Sequence, residues 1–228
     1  MSIFDKFLRI RELGIFSIII LVIIIASIVD SRFLTIDSWR AVFLAIPLIL
    51  VMAMGQMMVI ICRHVDISIG SILAFAAITI GFVFIHYPGT SLLMALLITA
   101  SVGTAMGLVN GIIVTRFNVH SIIVTLGTLS LYRGLVFIVS GGRQIDRNDI
   151  PVHIISFSQT SFLFSIPAIL ILSVIIVLIT HLIMRHSVLG REIYATGSNP
   201  EAAHLKGINV TKVTLFCFGV CGMLAGVA

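Results

Sequence analysis

The amino-acid sequence predicts an all-α fold, a polytopic transmembrane helix bundle. Of its 228 residues, 59% are hydrophobic and 10% are charged, whereas about a quarter of the residues are charged in soluble domains. The mean hydropathy is +1.22. The apolar runs are long and lack the strict alternation of β-barrel strands. Each run therefore has to satisfy its backbone hydrogen bonds within one helix.

Seven apolar runs approach the length of about 20 residues that a helix needs to cross a bilayer. The predicted spans lie near residues 13–29, 41–62, 67–86, 91–115, 121–140, 165–184 and 213–228. The last run reaches Ala228 without a polar end. We therefore expect residues 1–228 to form a single transmembrane domain that is truncated within about the seventh helix.

The distribution of positive charge predicts which loops face the cytoplasm. With the N-terminus inside, the inner segments carry nine Lys and Arg residues and the outer segments carry four, and cytoplasmic loops usually hold the excess. The inner residues are Lys6, Arg9, Arg11, Arg63, Arg116, Arg185, Arg191, Lys206 and Lys212, and the outer ones are Arg32, Arg40, Arg143 and Arg147. Because these charges lie mainly at the ends of apolar runs, they predict membrane topology and no nucleic-acid binding.

The polar loop at residues 185–212 contains the signals of a short helix. Asn199 suits the N-cap, Pro200 the first helical position, and Glu201 the first turn. Gly207 provides the end of the helix. Two turns, about 10 Å long, are too short to be stable alone in water. The helix must therefore be held by a partner or by its own membrane domain.

Small residues form a stripe along the fourth span, and Gly222 with Gly226 repeats the spacing in the last span. The stripe consists of Ala95, Thr99, Gly103, Gly107 and Gly111. Small residues at every fourth position allow another helix backbone to approach closely. We expect tight helix packing from this pattern.

The fifth span carries a hydroxyl stripe and, on nearly the opposite side, a small-residue face. The stripe consists of Ser121, Thr125, Thr128 and Tyr132, and the face of Gly127, Ser130 and Gly134. The hydroxyls either line a path for a polar solute or bond neighbouring helices and carbonyls of their own helix. A path predicts that replacing Thr125 and Thr128 by Val lowers transport more than stability.

Three further polar residues are candidates for function. Arg133 lies within the fifth span, where it is either functional or extends to the membrane interface. Gln56 faces either a cavity or a helix partner. Asp66 precedes the third span, and we expect its carboxylate to cap that helix. The predicted translocation path consists of Gln56, Thr125, Thr128, Tyr132 and Arg133.

The sequence lacks the motifs of a nucleotide-binding loop, a zinc protease or a serine hydrolase. Its His and Cys residues have no metal-ligand spacing. All nine acidic residues fall in loops or at helix ends, whereas ion-driven transporters usually place an ionisable group near the midplane. We predict no catalytic residue, metal or cofactor. An intramembrane enzyme and an ion-coupled secondary transporter stay open as alternatives.

Several motifs occur in a fixed order along the chain. They are Gly55-Gln56, Val65 to Ser71, Thr125 to Thr128 with Arg133-Gly134 and Gly141 to Arg143, and Gly190-Arg191 through Asn199 to Ala203 and on to Gly207. This order resembles the ribose-type sugar permeases of bacterial ABC importers over nearly the whole chain. Arg63-His64 stands where many of these permeases have Gly-Gly, and Val119 to Ser121 where a proline is common. Arg63-His64 and Tyr194 to Gly197 are more similar to the rhamnose and autoinducer-2 members.

The resemblance implies a transport subunit of the bacterial inner membrane that is not itself an enzyme. It would move a sugar or sugar-like solute of the ribose, rhamnose or autoinducer-2 class inward, with ATP hydrolysis on separate subunits. The implied partners are these ABC ATPase subunits, a second permease subunit in a homodimer or heterodimer, an extracytoplasmic solute-binding protein and membrane lipid. The segment resembling the coupling helix, which docks on the ATPase, comprises Asn199, Pro200, Glu201, Ala202, Ala203 and Gly207.

Overall fold

A computed structural model describes residues 11–162 and 166–228, and in this part of the chain it contains ten α-helices and one short β-hairpin. The helices are α1 (Arg11–Val29), α2 (Ile36–Ile61), α3 (Ile69–His86), α4 (Leu92–Phe117), α5 (Ser121–Ser140), α6 (Val152–Gln159), α7 (Ala168–His186), α8 (Val188–Ser198), α9 (Pro200–Leu205) and α10 (Val210–Val227). The hairpin pairs β1 (Ser161–Phe162) with β2 (Ile166–Pro167). The predicted polytopic helical fold is confirmed.

Six of the described helices are long and apolar enough to cross a membrane, namely α2 to α5, α7 and α10. Helix α1 occupies the first predicted span, but its apolar part, Leu13–Val29, is shorter than the other six. Some helices extend beyond their apolar runs. Helix α10 begins at Val210 because the Asn209 side chain caps it, accepting the N–H of Lys212 at 3.0 Å. Lys6, Arg9 and residue 165, which entered the predictions, lie outside the described residues.

The chain divides into two compact units, Met1–Ala45 and Ile46–Ala228. In the described part of the first unit, the Asp30 carboxylate accepts the N–H of Arg32 at 2.8 Å and so stabilises the turn after α1. The ring centroid of Trp39 lies 6.0 Å from that of Phe33 and 6.2 Å from that of Phe43. The single transmembrane domain expected for residues 1–228 stays a prediction.

Within the second unit, the most extensive helix contact joins α4 to α10. A Cβ added to Gly103 would strike the carbonyl oxygen of Gly222, and one added to Gly222 would strike that of Gly103. Gly107 and Gly226 approach the backbone of the facing helix equally closely. The two predicted small-residue patterns are therefore packing partners, which confirms the expected close approach.

Apolar side chains fill the end of this unit where α2, α8 and α10 meet. Val59, Ile193 and Phe218 are each 0% exposed there. Cys62 and Cys217 belong to the same cluster, with their sulfur atoms 3.4 Å apart, and both are free thiols. These two cysteines therefore pack as small apolar residues.

Replacing Gly222 by Ala tests the α4–α10 contact. The added Cβ would lie 2.9 Å from both the N and the Cα of Gly107, so the helices must separate. Overpacking of this kind costs about 1–3 kcal/mol. The free energy of unfolding of the detergent-solubilised chain, followed by circular dichroism, measures this loss.

Gly127→Ala in α5 is the matched control because a Cβ there meets nothing within 4 Å. Removing a helical glycine is expected to be neutral or to stabilise by up to about 1 kcal/mol. Equal free energies of unfolding for the two Ala variants would contradict the assigned packing.

Candidate functional site

A buried polar network joins the loop between α2 and α3 to helices α4 and α5. The Asp66 carboxylate accepts the Ser68 N–H at 2.9 Å and the Ser68 hydroxyl at 2.7 Å. Asn110 Nδ2 donates to Ser68 Oγ at 2.8 Å and to Asp66 Oδ2 at 3.3 Å. The Tyr132 hydroxyl lies 3.2 Å from Asn110 Oδ1 and 2.9 Å from the Met106 carbonyl oxygen. The four side chains are at most 3% exposed, so water does not reach the network.

Asn110 is the central residue of this network, and it is not among the residues predicted from the sequence. Its amide group donates towards Asp66 and Ser68 and accepts from Tyr132. An unpaired amide within an apolar span is costly, so a lone Asn beside the small-residue stripe indicates a polar partner on another element. That signal was available in the sequence.

Asp66 does not cap α3 directly, contrary to the expectation. The N-cap of α3 is Ser68, and the Asp66 carboxylate accepts the backbone N–H of that residue. It therefore stabilises the turn before the helix, because the backbone is not yet helical at Asp66. Burial raises the pKa of the Asp66 carboxyl above its ordinary value, while hydrogen bonds from Ser68 and Asn110 act in the opposite direction.

The hydroxyl stripe of α5 faces the protein interior. Ser121 Oγ accepts the Val65 N–H at 3.1 Å. Thr125 Oγ1 donates to the Ser121 carbonyl at 2.8 Å and lies 3.3 Å from the Val65 carbonyl oxygen. Thr128 Oγ1 lies 3.4 Å from the Thr125 carbonyl oxygen. Thr125 is 0% exposed and Thr128 8%. These bonds are those expected of hydroxyls that hold helices and loops together.

The structure does not bring the five predicted path residues together. Gln56 is half-buried on α2, where its Oε1 lies 3.8 Å from the thiol of Cys221 in α10. Arg133 is exposed, as is the small-residue face of α5, whereas Thr125, Thr128 and Tyr132 are buried. A path lined by all five requires an arrangement of the helices other than this one, and it stays a prediction.

The end of α8 is fastened to the loop that follows α2. A Cβ added to Gly197 would strike the carbonyl oxygen of Ile61. The Arg63 guanidinium donates to the carbonyl of Ser198, the last residue of α8, at 2.7 Å. Arg63 has a φ of 64°, a left-handed conformation that costs roughly 1–2 kcal/mol for residues other than Gly. The loop therefore holds a strained Arg63 against the negative end of α8.

Helix α9 forms where the sequence predicts it. Asn199 Oδ1 accepts the N–H groups of Glu201 and Ala202 at 3.0 and 3.1 Å, and Pro200 is the first helical residue. The helix ends at Leu205, and Gly207 adopts a φ of 84°. The predicted cap, start and stop are confirmed.

Helix α9 presents one face to its own chain and the other to solvent. Ala203 is 3% exposed and so anchors the helix. Glu201 and Ala202 are exposed, and Leu205 is 87% exposed. The outward face of this short polar segment thus carries one apolar side chain, that of Leu205. Of the predicted coupling residues, Ala203 is thus directed inward, while Glu201 and Ala202 face outward.

The pH dependence of stability tests the Asp66 network. Because its pKa is raised on folding, the folded chain binds the Asp66 proton more tightly than the unfolded chain. The resulting stabilisation is complete below about pH 4 and is lost as the pH rises through the raised pKa. We expect Asp66→Asn to remove this part of the decline in Tm as the pH rises above about 4. The exposed Asp37→Asn is the control, and an unchanged profile in Asp66→Asn would contradict the assignment.

Comparisons with known proteins identify the family of the chain. Residues 39–228 match the family described as branched-chain amino acid transport system / permease component. The chain is 33% identical to an autoinducer 2 import system permease protein LsrC of Yersinia enterocolitica over 202 residues, which cover 89% of this chain and 55% of the relative. It is 32% identical to LsrC of Yersinia pseudotuberculosis, with 89% and 56% covered.

The chain spans about half the length of the curated relatives that it matches. No solved structure matches it. The relatives are import permeases, which are transport components and not enzymes. The chain belongs to the family of ABC importer permeases described as branched-chain amino acid transport system / permease component.

Proposed function

We propose that the chain is part of the transmembrane permease of a bacterial ABC importer that moves a sugar or sugar-like solute inward. ATP hydrolysis on separate ATPase subunits drives this movement, and α9 receives the motion of those subunits. The further partners are a second permease subunit and an extracytoplasmic solute-binding protein. The relatives' names support solutes of the autoinducer-2 class, whereas the family description refers to branched-chain amino acids.

The observation that carries the proposal is the two-sided packing of α9. One side is fixed to the bundle through Ala203, and the other exposes Glu201, Ala202 and Leu205. Arg63 ties the preceding helix α8 to the end of α2, a predicted span. A force applied to the exposed face of α9 therefore reaches a membrane helix through a short series of contacts.

The proposed orientation places α9 and the N-terminus in the cytoplasm. Arg63 follows α2, and Arg116 lies in the last turn of α4. In the predicted topology both lie on the same side of the membrane as the 185–212 loop, whereas Arg143, in the loop after α5, lies on the opposite side. This excess of positive charge on one side supports the assignment. The location is the bacterial inner membrane.

Leu205→Asp tests the coupling role of α9. Leu205 is 87% exposed, so the substitution removes little burial within the chain, but it places a charge where an apolar contact with the ATPase is proposed. We expect solute uptake by the complete importer to fall at least about tenfold, as for the loss of an interface contact worth more than 1.4 kcal/mol. Membrane expression of the permease is expected to be unchanged.

Val152→Asp in α6 is the matched control because Val152 is 81% exposed and lies outside the coupling loop. Normal uptake and normal ATPase co-purification with Leu205→Asp would overturn the coupling role. Uptake that stops with a protonophore yet continues without the ATPase would instead support the ion-coupled transporter.

The double substitution Thr125→Val with Thr128→Val separates the two roles of the hydroxyl stripe. Both hydroxyls lie within bonding distance of backbone carbonyls, and each lost bond costs about 0.5–1.5 kcal/mol. We therefore expect thermal stability and uptake to fall together, which differs from the expectation of a path. Reduced uptake with an unchanged Tm would instead support the path role.

A further inference from the structure

A cavity of about 370 Å³ lies at the end of the bundle that carries α9. The loops after α2 and α4 border it, together with the beginnings of α5 and α10 and Pro200 of α9. Its volume falls within the range of about 300–1,000 Å³ that is typical of small-molecule sites. The cavity is thus large enough for a small ligand.

The lining of this cavity is basic. Arg63, His64 and His120 contribute nitrogen atoms, and none of the lining residues, all within the described ranges, is acidic. Helix α5 begins at Ser121 on the cavity wall, and its N-cap residue His120 makes no side-chain capping bond. The first N–H groups of a helix carry partial positive charge. The walls therefore favour an anion.

Polar groups of the lining have bonding capacity to spare. Thr214 lines the cavity with a side chain that is 1% exposed. Arg63 has five N–H donors, and the structure describes one acceptor for them, the Ser198 carbonyl. An occupant with several acceptor atoms would engage the remaining donors of Arg63.

Burial, and to a smaller extent the charge of the nearby His120, lowers the pKa of the His64 imidazole below its ordinary value. The groups facing His64 are His120, Arg63 and the ring of Phe218, whose centroid lies 5.8 Å away. Further positive charge is unfavourable here, and an anion would relieve this.

We propose that this cavity binds a phosphoryl group, either as phosphate or a phosphate monoester from the aqueous phase or as the headgroup of an anionic lipid. A guanidinium fork, a hydroxyl and the N-terminus of a helix together match a tetrahedral oxyanion. Arg63 also holds the Ser198 carbonyl, and Pro200 lines the cavity. Occupancy therefore acts on α8 and α9, and its effect on import rests on the proposed function.

Calorimetric titration of the full chain with inorganic phosphate tests the site. The chain is held in nanodiscs of phosphatidylcholine, and chloride keeps the ionic strength constant. We expect saturable binding that His120→Gln or Thr214→Val weakens about tenfold, as for the loss of one bond to a charged group. Arg116→Gln is the control, since Arg116 is exposed at the end of α4 but does not line the cavity.

Nanodiscs that contain phosphatidylglycerol distinguish the two sources of the phosphoryl group. Phosphate binding that persists in them supports a soluble ligand. Binding seen in phosphatidylcholine and abolished by phosphatidylglycerol supports a lipid headgroup. Absence of saturable binding in phosphatidylcholine nanodiscs, or equal weakening by Arg116→Gln and His120→Gln, would overturn the proposal. The titration needs no transport, so either result leaves the proposed import function to be judged by uptake alone.

Discussion

Transmembrane helices gain little from packing apolar side chains against one another, because lipid tails are equally apolar. The backbone contact between α4 and α10 instead stabilises the bundle by van der Waals attraction, because close approach at Gly103 and Gly222 brings many atoms within contact range. The same contact fixes the rotation of α4 about its axis. The positions of the polar groups on α4 follow from that rotation.

Asn110 shows how the packing determines the polar interior. Its side chain reaches Asp66 and Ser68 in the loop before α3, and Tyr132 approaches it from α5. Three elements distant in sequence are thus joined by hydrogen bonds where water is excluded. In such surroundings each bond is strong and each unmet group is costly. The network therefore fixes the loop that carries Arg63.

Hydropathy and capping residues were sufficient to predict the helices from the sequence. Apolar length located every predicted span to within a few residues, and Asn199 with Pro200 located α9. The direction of individual side chains could not be predicted, because it depends on which helices become neighbours. The hydroxyls of Thr125 and Thr128 face inward for that reason, and Arg133 faces outward. Ala203 likewise packs against its own chain and does not lie on the exposed face of α9.

Two requirements of the fold conflict at Arg63, one of its backbone and one of its side chain. A φ of 64° suits glycine, which has no Cβ to collide with the carbonyl oxygen. Glycine, however, has no guanidinium with which to hold the Ser198 carbonyl. A chain with glycine here would have a more relaxed bend and a looser α8, so its α2 would be linked less stiffly to α8 and α9.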